Sequence, residues 1–296
     1  MVGSEMRLLK RIIIGLISVA ALLAVAAWIS LTFVLIRPAQ YEPGVEVGAV
    51  ELRPWEEHDA IYKTGEFPYI RRFEMGEGKI LYAGIRHTSD ASDPQLSKIE
   101  ALWKEFQPTV ALCEGRERMF RFASRPEAGE LSESKLVRIL AYGSGVPLYS
   151  LEPSYESEVA GLLKHFDPDL VAAYMTLRVF TSEAKGNEGD LDSLARHLLQ
   201  KRIDAPGLEE SLTSIGELDN FWRKTFPDAP DWRKLSDTEE IPLMKKVGDV
   251  SREVRGEHMI RTIAELASRG ERVFAVVGAS HVIRQEIALK KVLGDL

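Results

Sequence analysis

The 296-residue sequence holds a single cysteine, Cys113. That rules out an intrachain disulfide and any zinc site built on several thiolates, so a metal, if bound, must rest on nitrogen and oxygen ligands. Several glycine signatures are missing as well. There is no P-loop and no Gly-x-Ser-x-Gly elbow. The Gly-x-Gly of "YGSGVP" has no third glycine in register and does not open a helix after a strand, which argues against a dinucleotide site. Positive charge is scarce: 38 Lys and Arg stand against 45 Asp and Glu, a net of −7. Residues 1–36 carry Arg7, Lys10 and Arg11 against Glu5, so residues 37–296 hold a net −9. Such an acidic chain suits nucleic acid poorly, because phosphate contacts dominate that affinity. No repeat of solenoid period is present.

What is present is ample material for one core, with 45% apolar and 28% charged residues. Residues 12–36, "IIIGLISVAALLAVAAWISLTFVLI", are free of charge over 25 positions, enough to cross a hydrocarbon core of roughly 30 Å as a helix. A cleavable signal peptide is the competing reading, with Ala24-Val25-Ala26 as the cleavage site. Cutting there would leave "AWISLTFVLI" as a bare apolar tail, which favours an uncleaved anchor. The basic residues before the run place residues 1–11 in the cytoplasm and the rest of the chain outside it, so the expected location is a single-pass membrane protein with an extracytoplasmic domain.

After a linker over 37–66, the domain is expected to fill 67–296. Tyr69–Glu74 and Lys79–Ile85 flank "MGEGK" as a hairpin. Leu96, Ile99, Leu102, Trp103 and Phe106 recur at helical spacing behind Asp93-Pro94, an N-cap followed by proline. "TVALCEG" reads as a buried strand, Leu131–Tyr142 as a helix, "VPLYSLEP" as a strand and Tyr155–Phe166 as a helix. From about 167 to 240 the strand signal disappears; "DLVAAYMTLRVFTSEA" and "DLDSLARHLLQKR" predict helices and "FPDAPDWRK" a loop, together a helical insertion. A long helix over Ile241–Arg269 then leads into a strand at 273 and a last helix from about 281. The expected fold is α/β, a mostly parallel sheet flanked by helices with that insertion, preceded by one transmembrane helix.

Four buried strands end in polar side chains: His87 after "LYAGIR", Glu114 after "TVALC", Glu152 after "PLYSL" and His281 after "FAVVGAS". In a parallel sheet these ends share one edge, the edge at which open α/β sheets bind ligands. Both histidines follow glycine by three positions, in "GIRH" and "GASH", where a missing side chain allows close approach. Two imidazoles and two carboxylates suit Zn²⁺, Mn²⁺ or Fe²⁺ and could activate water; without metal, they could act as general base and acid. Cys113, opposite Glu114 by strand alternation, reads as core. His58, His165, His197 and His258 have no convergent partner and read as surface groups.

"GIRH", "PTVALCEGR", "RGEHMIRTI" and "VVGASH" occur in an order that resembles the TraB/Tiki/ChaN-like superfamily, related to erythromycin esterases, over roughly residues 79–290. The resemblance implies that His87, His281 and Glu114 are site residues and that Arg255, on the helix before the last motif, clamps a substrate carboxylate or oxyanion; Arg116 and Arg118 could do likewise. Gly256 stands where the family often has Asn or Asp. The resemblance implies metal-dependent peptide-bond hydrolysis, as in Tiki-like members, or ester hydrolysis, as in esterase-like ones, on a peptide or small-molecule substrate; the strand-end reading makes His87, Glu114, Glu152 and His281 the expected metal ligands. The alternative is non-catalytic capture of haem or another ligand, as in ChaN-like members.

Overall fold

The computed structural model describes residues 2–29, 35–47, 50–185, 189–202 and 204–295. In chain order the elements are helix α1 (Val2–Ile29), strands β1 (Leu35–Ile36) and β2 (Ala39–Gln40), helix α2 (Trp55–Thr64), strands β3 (Tyr69–Met75) and β4 (Gly78–Ile85), helix α3 (Pro94–Phe106) and strands β5 (Val110–Cys113) and β6 (Met119–Phe120). Helix α4 (Glu133–Ser144), strand β7 (Leu148–Ser150), helices α5 (Tyr155–Leu162), α6 (Pro168–Glu183), α7 (Leu191–Arg202), α8 (Ile215–Thr225) and α9 (Pro242–Ser268), strand β8 (Arg272–Gly278) and helix α10 (Ala279–Asp295) follow. Two compact units result: residues 1–39, 64–150 and 270–282 in one, and 40–63, 151–269 and 283–296 in the other.

The first unit is built on a six-stranded sheet in the order β2-β7-β5-β8-β4-β3. Pairs β4–β8, β5–β8 and β5–β7 are parallel, and β3 joins β4 as an antiparallel hairpin around Gly76-Glu77. Gly76 adopts φ +56°, a turn conformation that costs glycine little. The last strand, β8, is inserted between β4 and β5, so three strand ends separated widely in sequence become immediate neighbours. Their central residues are buried on both faces, which explains the unbroken apolar runs "ILYAGI", "VALC" and "VFAVVG". On one face Leu81, Ala83, Ile85, Ala111, Phe274 and Val276 pack with Leu96, Ile99 and Trp103 of α3 and Leu136 and Val137 of α4. Trp103 meets Phe274 edge-on at 5.2 Å between centroids. Burying each such side chain contributes about 1.5–3 kcal/mol. Cys113 belongs to this core, as its strand position predicts, and burial pushes its thiol up to about 11.

Capping fixes where the helices begin. Asp93 accepts a hydrogen bond from the Gln95 amide at 2.8 Å ahead of Pro94, and Ser132 accepts from the Lys135 amide at 3.2 Å.

Between Ser150 and Arg272 the described residues form helices and no strand, as the loss of strand signal from 167 predicts. The core of this helical unit gathers α5–α9 around Trp232 and Phe180, whose rings lie 5.1 Å apart. Trp232 is fully buried inside "FPDAPDWRK", so that segment is a packed turn rather than a free loop. Two further expectations need correction. The segment 37–66 contains α2 and is not simply a linker. His58 and His258 are buried, not superficial: His58 lies between Trp55 and Tyr62, at 4.8 and 5.5 Å between centroids, and His258 keeps Nε2 without a hydrogen-bond partner. His165 and His197 are exposed as expected.

Side chains Ile13–Trp28 of α1 are all exposed. Among the described residues no helix is long and apolar enough to cross a membrane. Residues 30–34 of the expected 12–36 span lie outside the described residues.

Candidate metal centre

The insertion of β8 between β4 and β5 brings together His87, just beyond β4, Glu114, just beyond β5, and His281, in the first turn of α10. His281 Nε2 lies 3.0 Å from Glu114 Oε1, and the Gly278 amide donates to Glu114 Oε2 at 3.0 Å. Burial of Glu114 opposes its ionisation. The hydrogen bond and charge of His281, the Gly278 N–H and the charge of His87 outweigh that penalty and hold the carboxyl at about 2. The backbone at Glu114 is pinned too: its carbonyl accepts from Ser134 Oγ at 2.7 Å and from Arg138 Nη2 at 3.2 Å.

A fourth residue completes the group. Glu133, the first residue of α4, is buried and hydrogen-bonds His87 Nδ1 through Oε1. That bond is the main influence on His87; burial works against it, and the charges of Glu133 and Glu114 add to it, so the imidazole pKa is raised. Glu133 Oε2 is buried with no hydrogen-bond partner. Buried oxygens are rarely left so, and one beside a histidine and a second carboxylate is where a cation or an ordered water fits. One ligand atom each from His87, Glu114 and Glu133 lies within 4.8 Å of the others, a group that could hold a metal ion. Two bonds of 2.0–2.2 Å across a metal span about 4.4 Å, so a small inward movement closes the set.

Both motif glycines are explained by contact rather than by backbone angle. A Cβ on Gly278 would lie 2.7 Å from His87 Nε2, and one on Gly84 would lie 2.8 Å from the Ala279 Cα at the start of α10. Gly278 thus admits the ring of one motif histidine, and Gly84 admits the helix that carries the other.

Two further expected residues, Glu152 and Arg255, lie in the helical unit. Arg255 is paired with Glu152 there, and the Glu152 carbonyl accepts from Gln40 Nε2 at 2.7 Å. The group that could hold a metal contains Glu133, which the sequence reading missed, while Glu152 and Arg255 pair with one another. The signal for Glu133 was faint: an acid behind the Ser132 cap is ordinary helix-start chemistry. Arg116 donates to the Pro38 carbonyl at 3.3 Å, and Arg118 is exposed.

Fold and cluster together define an α/β protein whose sheet edge gathers two histidines and two carboxylates. Comparison of the chain with protein-family models, curated proteins and solved structures finds no match.

Proposed function

We propose that the chain is a membrane-anchored, extracytoplasmic hydrolase of an amide or ester bond, working with a divalent metal held by His87, Glu114 and Glu133. The observation that carries this reading is the buried, unpartnered Glu133 Oε2 beside His87 and Glu114. Three hard or borderline donors, two of them anionic, suit Mn²⁺, Zn²⁺ or Fe²⁺. They suit haem less, because a porphyrin seeks an apolar slot and this histidine is flanked by carboxylates.

A bound cation would lower the pKa of a coordinated water and polarise the scissile carbonyl. The chain's own residues supply the rest. Glu133 fixes the orientation of the His87 ring through Nδ1, as a partner of a ligating histidine does. His281 holds Glu114 ionised by donating to it through Nε2, which keeps the carboxylate available as an anionic ligand. The resemblance to TraB/Tiki-like proteins supports the same class of reaction. Glu152 and Arg255 stand outside this minimal set; with Glu152 already neutralised, Arg255 is free to contact an anionic substrate group only by giving up that pair.

The test is turnover by the full chain in detergent, loaded with Mn²⁺, Zn²⁺ or Fe²⁺, against a panel of peptide amides and carboxylic esters. Metal-dependent hydrolysis that His87→Ala abolishes, with circular dichroism unchanged, is expected. Equal turnover in the variant, or a histidine-dependent Soret band on adding haem without hydrolysis, would refute the reading.

A further inference from the structure

The loop after Glu114 carries apolar surface for which the proposed reaction has no use. Residues 116–125 read "RERMFRFASR". Their root is fixed: Gly115 turns the chain at φ +73°, Glu117 pairs with the nearly buried Arg138, and Arg138 Nη1 donates to the Glu117 carbonyl at 3.3 Å. Beyond the root, β6 pairs antiparallel with β1, Leu35 opposite Phe120 and Ile36 opposite Met119. Leu35 and Ile36 are the last two residues of the charge-free run 12–36. The loop is thus stitched by backbone hydrogen bonds to the end of the apolar run.

Met119 is buried, whereas Phe120 is 63% and Phe122 82% exposed. Between and beside them stand Arg118 and Arg121, both exposed and without an ion pair among the described residues. Arginine interleaved with exposed aromatic rings is the pattern of segments that lie in a membrane interface, and exposed apolar surface of this kind calls for an occupant. The pairing says which. Strands lie about 4.8 Å apart, so Phe120 sits at the level where the run ends. Residues 12–29 of α1 extend about 27 Å at 1.5 Å per residue, and the charge-free run continues in sequence to Ile36.

We propose that residues 118–122 are a second membrane contact, with Phe120 and Phe122 seated at the headgroup–acyl boundary and Arg118 and Arg121 on the phosphates of anionic phospholipids. This rests on reading residues 12–36 as a membrane span. The consequence for the site follows from chain length: Glu114 precedes Arg118 by four residues, which reach at most about 14 Å, so the metal-holding group works close to the bilayer surface.

The test uses the full chain with a cysteine introduced at one position, Phe122→Cys or Glu77→Cys, labelled with an environment-sensitive fluorophore. Native Cys113 is fully buried and stays unlabelled. Glu77, exposed in the β3–β4 turn, is the reference because it lies at the opposite end of β4 from His87. In phosphatidylcholine vesicles with and without phosphatidylglycerol, the label at 122 should emit to the blue of the label at 77. Lipids carrying a nitroxide at headgroup depth should quench it several-fold more strongly. Arg118→Gln/Arg121→Gln should remove the gain that phosphatidylglycerol brings. Equal quenching at 122 and 77, in chains that float with the vesicles, would overturn the loop contact while leaving the span intact. A label shielded from aqueous iodide yet untouched by lipid nitroxide would reveal a protein partner, and also overturn it. Failure of the unlabelled chain to float with vesicles would remove the span, and the proposal with it.

Discussion

Carboxylates are buried in both units, but their partners differ. In the helical unit Glu158 meets Arg178 at 2.7 Å, with Ser251 Oγ on the same oxygen, and Glu152 meets Arg255. In the sheet unit Glu114 meets His281, and Glu133 meets His87 while keeping one oxygen unpartnered. Guanidinium stays charged at any pH the protein meets, so the arginine pairs are closed and permanent. Imidazole titrates near neutrality and can exchange its proton for a metal. Under the proposed function the same acidic residue type serves structure in one unit and chemistry in the other, and the partner's basicity is what separates the two roles.

The sharpest way to break that comparison is Arg178→Ala. It leaves the carboxylate of Glu158 buried without its cation and should lower unfolding stability by about 3 kcal/mol in a denaturant titration. Burial opposes ionisation of Glu158, but the charge and hydrogen bond of Arg178 prevail and hold its carboxyl below the usual range. A depressed folded-state pKa gives stability that is present above the unfolded value, about 4.3, and lost as pH falls from there through the folded value. Wild type should therefore lose stability with acid in that window, and Glu158→Gln should show a flatter profile. Equal slopes would mean that the pair is not the linked group.

In the sheet unit the corresponding change is gentler on the fold and harder on binding. Gly278→Ala puts a methyl 2.7 Å from His87 Nε2. The His87 side chain is 69% exposed and can swing aside, so stability should change by less than about 1 kcal/mol. Divalent-metal affinity, measured by calorimetry, should fall by about tenfold or more. An unchanged affinity would separate His87 from the metal.

Much of this was legible in the sequence, for a physical reason. Strands buried on both faces show as unbroken apolar runs, and a polar residue that ends such a run has nowhere to lie but the sheet edge; His87, Glu114 and His281 could be read that way. Glu133 could not, because a helix-start acid behind a serine cap is indistinguishable from one facing water until α4 is packed on the sheet. Glu152 obeyed the strand-end rule and yet found an arginine, a choice made by tertiary packing. Helix α2 escaped because His58 is its one buried side chain, too little to make an apolar stripe, and β1 and β6 because two residues carry no period. His258 escaped because its burial comes from contacts remote in sequence.

The most direct measurement of the central claim is elemental analysis of the full chain after loading with Mn²⁺, Zn²⁺ or Fe²⁺ and desalting, wild type beside His87→Ala/Glu133→Gln. The account predicts about one equivalent of one of these metals in wild type and none in a double variant that keeps its circular dichroism. Wild type that retains none, or a double variant that retains as much, would contradict it.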